Sequence, residues 1–456
     1  MHGRAALALI AAALAIVIGA WLAHRREEPP PRPLIPELRG PRREVEAHLD
    51  RVAVRVARRV ERLRDLRFES VPAVRLMTRR QLVALGRRLT LRARRHRTYT
   101  PGARRSQRRL VRASVRLDQL AGLLPPEIVF GPDTTGGLDR VGGAYDYSRN
   151  RIVIVPRLIA THAQLIYTLA HELTHALERQ RFGLDFPALT RPGEAVAVRR
   201  ALIEGTATLL QDRYRHRFLG DRVPVVQRLE GLRSVIAAGP APFAVNAQAV
   251  FDYVDGALFV RRLYHRGGWA EVDRAIRNPP RSSSQILHPR LWPRRPRARP
   301  VRLGLRPLLE RRWRRIGGGE AGEDEALVIL LAGSIEEEAT AGASGWDGGR
   351  FELWRPRGQR GSGCRPACAN GDVGVVAFRW RRPSDADQFR IAFPAYVIAG
   401  LLGERVTART WKTSTGYVSL GRARRASALA FAPGAALAQR LAARAAREAN
   451  ATVAGL

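Results

Sequence analysis

The sequence predicts a mixed α+β chain, with a mainly helical body, a short strand region ahead of its central helix, and a smaller C-terminal α+β domain. Three observations predict this. Apolar residues recur at helical spacing through most of residues 42–277. The segment GAYDYSRNRIVIVP, residues 143–156, carries the turn residues and alternation of a hairpin or edge-strand pair. From about Asp324 the composition shifts to short β-prone runs interleaved with two helical stretches.

Residues 1–26 contain an almost uninterrupted apolar run of 19 residues, Ala5 to Ala23, long enough to span a bilayer as a helix. Small residues suited to a cleavage site are weakly represented before the charged cluster at Arg25 and Arg26, which favours an uncleaved anchor over a signal peptide. The expected location is the bacterial cell envelope, with the body outside the cytoplasm and anchored by this helix, or secreted if the segment is cleaved. Residues 27–41, EEPPPRPLIPELRGP, read as a stiff Pro-rich spacer. Residues 42–125 read as a helical region, with Val45, Leu49, Val52, Val56, Val60 and Leu63 on one face and a break at Pro125-Pro126. Residues 126–290 follow as the core of the body, and residues 291–323 as an Arg/Pro-rich linker. Within 324–456, EALVILLAGS, RFELWR, VGVVAFRW, ERVTARTWKT and YVSLG suggest strand or mixed segments. DADQFRIAFPAYVIAGL and AALAQRLAARAARE suggest helices.

The chemistry concentrates in HELTH, His171 to His175. Residues i and i+4 share a helix face, so the imidazoles of His171 and His175 can converge on one metal ion. Glu172 lies beside that metal, where it can take a proton from a zinc-bound water and return it to a leaving group. A chance match is expected on the order of 0.01 times in a chain with 10 His, so helical context carries the weight. That context is present: Leu165, Ile166, Leu169, Leu173, Ala176 and Leu177 form an apolar stripe. The best third ligand is Glu204, on a second helical stretch, 195–214, whose small Gly205 and Ala207 permit close helix approach. Glu194 and Glu178 are fallback ligands, Glu178 reading more readily as a surface ion-pair partner of an Arg.

A Glu on a second helix packed against HExxH resembles the gluzincin metallopeptidases. GAYDYSRNRIVIV, LAHELTHALERQRFGL, ALIEGTAT, DGALFVRRLYHRGGW and PPRSSSQILHP together resemble a family of poorly characterised bacterial HExxH proteins over roughly residues 42–290. A weaker echo follows in ASGWDGGRFELWR and DADQFRIAF. The resemblance implies a zincin-like core and a membrane-associated or exported zinc-dependent peptidase acting on a peptide or protein. It also implies that an edge strand beside the zinc helix aligns the substrate, and that a histidine or tyrosine outside the motif, here His288 or Tyr253, assists the oxyanion. Thr206 departs from the pattern, standing where such sequences often carry an Asp that would orient a zinc ligand; Asp212 or a backbone carbonyl could substitute.

The alternative is a non-catalytic envelope protein with a structural or degenerate zinc site that binds a partner or an anionic polymer. The net charge of +38 does not make nucleic acid the expected partner: Lys412 is the only lysine among 79 basic residues, and no RNA- or DNA-recognition motif accompanies the arginines. Anionic lipid headgroups or acidic envelope polymers fit a tethered basic protein better. His162 reads as structural. Cys364 and Cys368, in CRPAC, suit a local disulfide in an oxidising compartment.

Overall fold

Helix α1 (Arg42–Arg64) buries the predicted stripe, Val45, Leu49, Val52, Val56 and Val60, together with Ala53 and Ala57. The structure, a computed structural model, describes residues 34–95, 101–127, 142–184, 193–239, 241–293, 298–358 and 371–451. The apolar run of residues 5–23 and the Cys364/Cys368 pair lie outside them. No described helix is long and apolar enough to cross a membrane.

After α1 the chain enters strand β1 (Ala73–Leu76), then α2 (Arg79–Arg95) and α3 (Pro101–Leu120). The 42–125 region is therefore not wholly helical. A four-residue strand escapes a helix-period search because it is short and takes its partners from elsewhere. That partner is β3 (Arg151–Ile154), which pairs parallel to β1 and antiparallel to β2 (Gly143–Asp146), giving the order β1-β3-β2. The expected hairpin is thus the β2–β3 pair, and β2 is an edge.

Two long helices pack on this small sheet and on α1. Helix α4 (His162–Phe182) starts with the Thr161 side chain accepting from the Gln164 N–H and stops at Gly183, whose φ of 62° suits a residue without a side chain. Helix α5 (Glu194–Phe218) is buried along most of its length. Helix α6 (Val225–Ala237), the short helix Phe243–Ala249 and a π-helical turn, Val250–Asp255, lead into α7 (Gly256–Arg277). That helix breaks at Gly267 and Gly268, the latter at φ 62°. Helices α5 and α7 cross in backbone contact: a Cβ on Gly205 would lie 2.2 Å from the Gly256 carbonyl carbon, and one on Gly256 2.1 Å from the Ala201 oxygen.

Beyond the short helix Ser283–Leu287, the described part of the expected linker from residue 298 onward is structured. Val301, Leu303, Leu305 and Leu309 are buried, and strand β4 (Trp313–Glu320) belongs to the main sheet. Arg and Pro density concealed a strand that is Gly-rich at its centre and fully buries only Gly317. EALVILLAGS, suggested as strand or mixed, is helix α8 (Glu323–Leu331), followed by α9 (Glu336–Ala343). Three acidic residues in the first turn of α8 favour helix at its N-terminus.

Strands β5 (Trp346–Pro356) and β6 (Val373–Trp380), helix α10 (Pro383–Ala395), strands β7 (Glu404–Thr407), β8 (Thr410–Thr413), β9 (Gly416–Ala423) and β10 (Ala426–Ala432), and helix α11 (Ala435–Asn450) complete the chain. The antiparallel sheet runs β4-β5-β6-β10-β9-β8-β7. Its two faces follow the two-residue period of a strand. Val376, Phe378 and Trp380 with Leu429 and Phe431 meet α8, α9 and α10. Val373, Val375 and Ala377 with Ala428, Ala430 and Ala432 meet the alanines of α11. Helix α3 also lies on the first of these faces: Ala113, Leu117 and Leu120 join Leu353, Phe351 and Val376 in one core. The C-terminal unit thus borrows a helix from the N-terminal third of the chain.

Candidate metal centre

The site is built where α4 and α5 face each other beneath β2. HELTH occupies the middle of α4, with Glu172 and His175 buried and His171 at the margin. Glu204 sits opposite, on α5, 3% exposed among Leu202, Ile203 and Ala207. The crossing at Gly205 and Gly256 brings the π-helical turn, and with it Tyr253, against the same space.

The donor atoms meet a strict geometric requirement. Ligands about 2.1 Å from a tetrahedral centre stand roughly 3.4 Å from one another. Glu204 Oε2 is 3.3 Å from His171 Nε2 and 3.4 Å from His175 Nε2. Among the described residues, His171, His175 and Glu204 form the one group of three or more His, Cys, Asp or Glu whose donor atoms converge closely enough to hold a metal ion. His171 Nδ1 lies 3.2 Å from Gln211 Oε1, and a Nδ1–H donated there would free Nε2, now 3.3 Å from Glu204 Oε2, to bind a metal.

In this arrangement the charges hold one another. Burial alone would lower the pKa of His175, but the Glu204 carboxylate, with Glu172 and Glu178 behind it, raises it to about 9. Burial alone would raise Glu204, but the two imidazoles hold it well below the usual carboxylate range. Glu172 is raised, chiefly by burial, against the opposing pull of both histidines and of the Tyr145 backbone N–H, which donates to its carboxylate. Glu172 thus binds a proton more readily than an ordinary carboxyl, beside the candidate ligand set.

Tyr253 lies beside the cluster, its ring centroid 6.2 Å from that of His171, and its hydroxyl donates to Glu204. Burial and the charges of Glu204, Asp252 and Glu172 push the phenol well above its ordinary value, so it keeps its proton. A second phenol, Tyr147, was not singled out from sequence. It is buried, 6.5 Å centroid to centroid from His175, and raised by burial and by Glu204 and Glu172. Its only sequence signal was its place at the turn of the β2–β3 hairpin, ahead of the HELTH helix.

His288 does not join this cluster. Its Nε2 is 2.5 Å from Glu323 Oε1, and the pair ties the end of the Ser283–Leu287 helix to α8. The Pro289 that follows ends the helix there, which gave His288 the look of a loop residue free to reach a site. Glu178, a fallback ligand, instead makes a buried ion pair with Arg64 of α1, at 2.9 Å, and not a surface one. Arg64 also holds Asp273 at 2.6 Å and lies over the Trp269 ring. Glu194, the other fallback, accepts from the Ser283 N–H and hydroxyl, at 2.5 and 2.9 Å. Thr206 bonds back to Leu202 O in its own helix, and Asp212 pairs with Arg228, so neither orients a histidine. His162 pairs with Glu37.

Comparisons with protein-family models, curated proteins and solved structures return no match for this chain.

Proposed function

We propose that this chain is a zinc-dependent peptidase of gluzincin type, built on a zincin-like core and anchored at, or exported across, a bacterial membrane. The observation that carries the reading is the spacing of His171 Nε2, His175 Nε2 and Glu204 Oε2, with the Glu172 carboxyl buried beside them. Zinc suits two imidazoles and one carboxylate, and three protein ligands leave a fourth position for chemistry. When bound, zinc supplies Lewis acidity that polarises the scissile carbonyl and acidifies water.

The chain's own residues do the rest. Glu172 takes the proton of the attacking water and passes it to the leaving nitrogen, and its elevated pKa serves both directions of that transfer. Tyr253 and Tyr147 keep their protons beside the histidines, and either phenol would serve as the donor to charge developing on the carbonyl oxygen, Tyr253 by exchanging its bond to Glu204 for one to substrate. The edge strand β2, whose Tyr145 N–H reaches Glu172, offers main-chain groups against which an extended peptide can lie as an added strand.

The test combines metal content with turnover of an unstructured protein such as casein by the full chain. About one zinc per chain is expected in wild type and in Glu172→Gln, with hydrolysis lost in the latter. Loss of zinc is expected in His175→Ala and Glu204→Ala. Hydrolysis surviving in Glu172→Gln would remove the mechanism, and zinc retained in Glu204→Ala would remove the ligand assignment.

A further inference from the structure

A cleft of about 420 Å³ opens on the far part of α7, lined by Arg262, Arg266, Arg274, Pro289, Arg290, Trp292 and Pro293. None of these residues belongs to the metal cluster, and the inference here stands independently of the peptidase reading. Trp292 is 2% exposed and forms the floor, its indole N–H bonded to Asn278 O at 3.2 Å and its ring edge-on to Phe259. Two guanidinium groups are fixed against it. Arg266 and Arg274 lie 5.3 and 5.0 Å from the ring centroid, and Glu271 accepts from both. Arg266 also donates to Trp292 O.

The other two cations are left over. Arg262 lies one helical turn before Arg266 on the same face, and Arg290 comes from the short turn after His288. Among the described residues, neither has a hydrogen-bond or carboxylate partner. One carboxylate therefore faces four guanidiniums around a rigid aromatic floor. Arginines scattered over a basic surface do not produce this arrangement: two are held in place by stacking and by a shared acceptor, and the charge surplus converges on one concavity. Guanidinium forks match tetrahedral oxyanions bidentately, and a ligand with several acceptor oxygens and more than one charge fits the surplus better than a single carboxylate. The backbone explains the convergence: the break at Gly267 and Gly268 turns α7, so that arginines on both sides of it reach the same tryptophan.

We propose that this cleft binds a phosphoryl group. The group can come from a free phosphate or from the phosphodiester of a lipid headgroup or envelope polymer. Two soluble probes separate the sources: inorganic phosphate for the first, and glycerophosphoglycerol, the deacylated headgroup of phosphatidylglycerol, for the second. Binding of each is measured by calorimetry on the full chain in detergent at low ionic strength. Arg262→Ala/Arg290→Ala is compared with Arg405→Ala/Arg409→Ala, which removes the same charge from exposed positions at strand β7 and the turn after it. At least a tenfold loss of affinity for one probe is expected in the cleft pair alone, with unchanged melting. The probe that binds names the source. Equal losses in both pairs would reduce the effect to net charge, and an unaffected cleft pair, or no binding of either probe to wild type, would overturn the proposal.

Discussion

His175 and Glu204 hold each other in their charged forms, and this sets the pH at which the pocket can take a metal. A ligand imidazole must be unprotonated, yet burial beside Glu204 raises metal-free His175 to about 9. Metal binding therefore displaces a proton. Apparent zinc affinity should climb about tenfold per pH unit between about pH 7 and 8.5 and flatten near 9, read by competition with a chromophoric chelator. The same pair contributes to stability in the opposite sense. A histidine raised above its unfolded value stabilises the metal-free fold fully below about pH 6.5, and that contribution is lost as the pH rises through about 9. Gln211 is the second residue-scale test. Its contact orients His171, so Gln211→Ala should weaken zinc binding by about 10- to 100-fold while leaving melting of the metal-free protein nearly unchanged. Unchanged affinity would remove its orienting role. Helical periodicity and the i, i+4 spacing made the convergence of His171, His175 and Glu204, with Glu172 buried beside them, legible from sequence. Gln211 and Tyr147 were not, because an amide or a phenol becomes part of a site only through its partner in space. His288 misled for the converse reason: its place before Pro289 was read correctly as an element end, while the Glu323 it meets lies on another helix.

At the scale of elements, the crossing of α5 and α7 fixes where Glu204 and Tyr253 stand. Gly205→Ala puts a methyl carbon within 2.2 Å of the Gly256 backbone, which cannot yield as a flexible side chain could. Overpacking of this kind costs about 1–3 kcal/mol and forces the helices apart. The expected result is a melting temperature several degrees lower, together with loss of zinc binding if Glu204, on the displaced helix, is the third ligand proposed above. A variant that melts lower yet keeps full zinc would separate the crossing from the site. Gly205 was readable as a small residue next to the candidate ligand. The π-helical turn at Val250–Asp255 was not, because its local sequence reads as ordinary helix. Strands β1 and β4 escaped for a related reason: one is four residues long, the other is glycine-rich with a single buried residue, and each is specified by its neighbour in the sheet.

At the scale of the whole molecule, the two halves meet through buried carboxyls. Glu194, at the start of α5, accepts from Ser283, whose hydroxyl accepts from the Asp324 N–H of α8. Burial, then the charge of Asp324, pushes Glu194 well above its usual range; burial also raises Asp324 and Glu325 beside it. An acid whose folded pKa is raised contributes stability that is fully present below its unfolded value, near 4.3, and is lost as the pH rises through the folded value. Wild-type melting should therefore fall as the pH is raised from about 4.5, and Glu194→Gln, which keeps an acceptor for Ser283, should flatten that slope. An identical slope in the variant would assign the pH dependence to other groups.

The position of α3 bears on how this molecule is made. Its apolar face is completed by β5 and β6, yet on the ribosome it emerges long before them, with the entire region of the candidate metal centre still to be synthesised in between. Until that sheet exists the face has nowhere native to go, so a nascent chain holds an exposed, arginine-flanked hydrophobic stripe through most of translation. A chain stopped after the HELTH and Glu204 helices would carry that stripe permanently, and would be a substrate for chaperones or degradation even with His171, Glu172, His175 and Glu204 all present. Neither half can be cut out as one continuous stretch of gene without stranding a piece of the other.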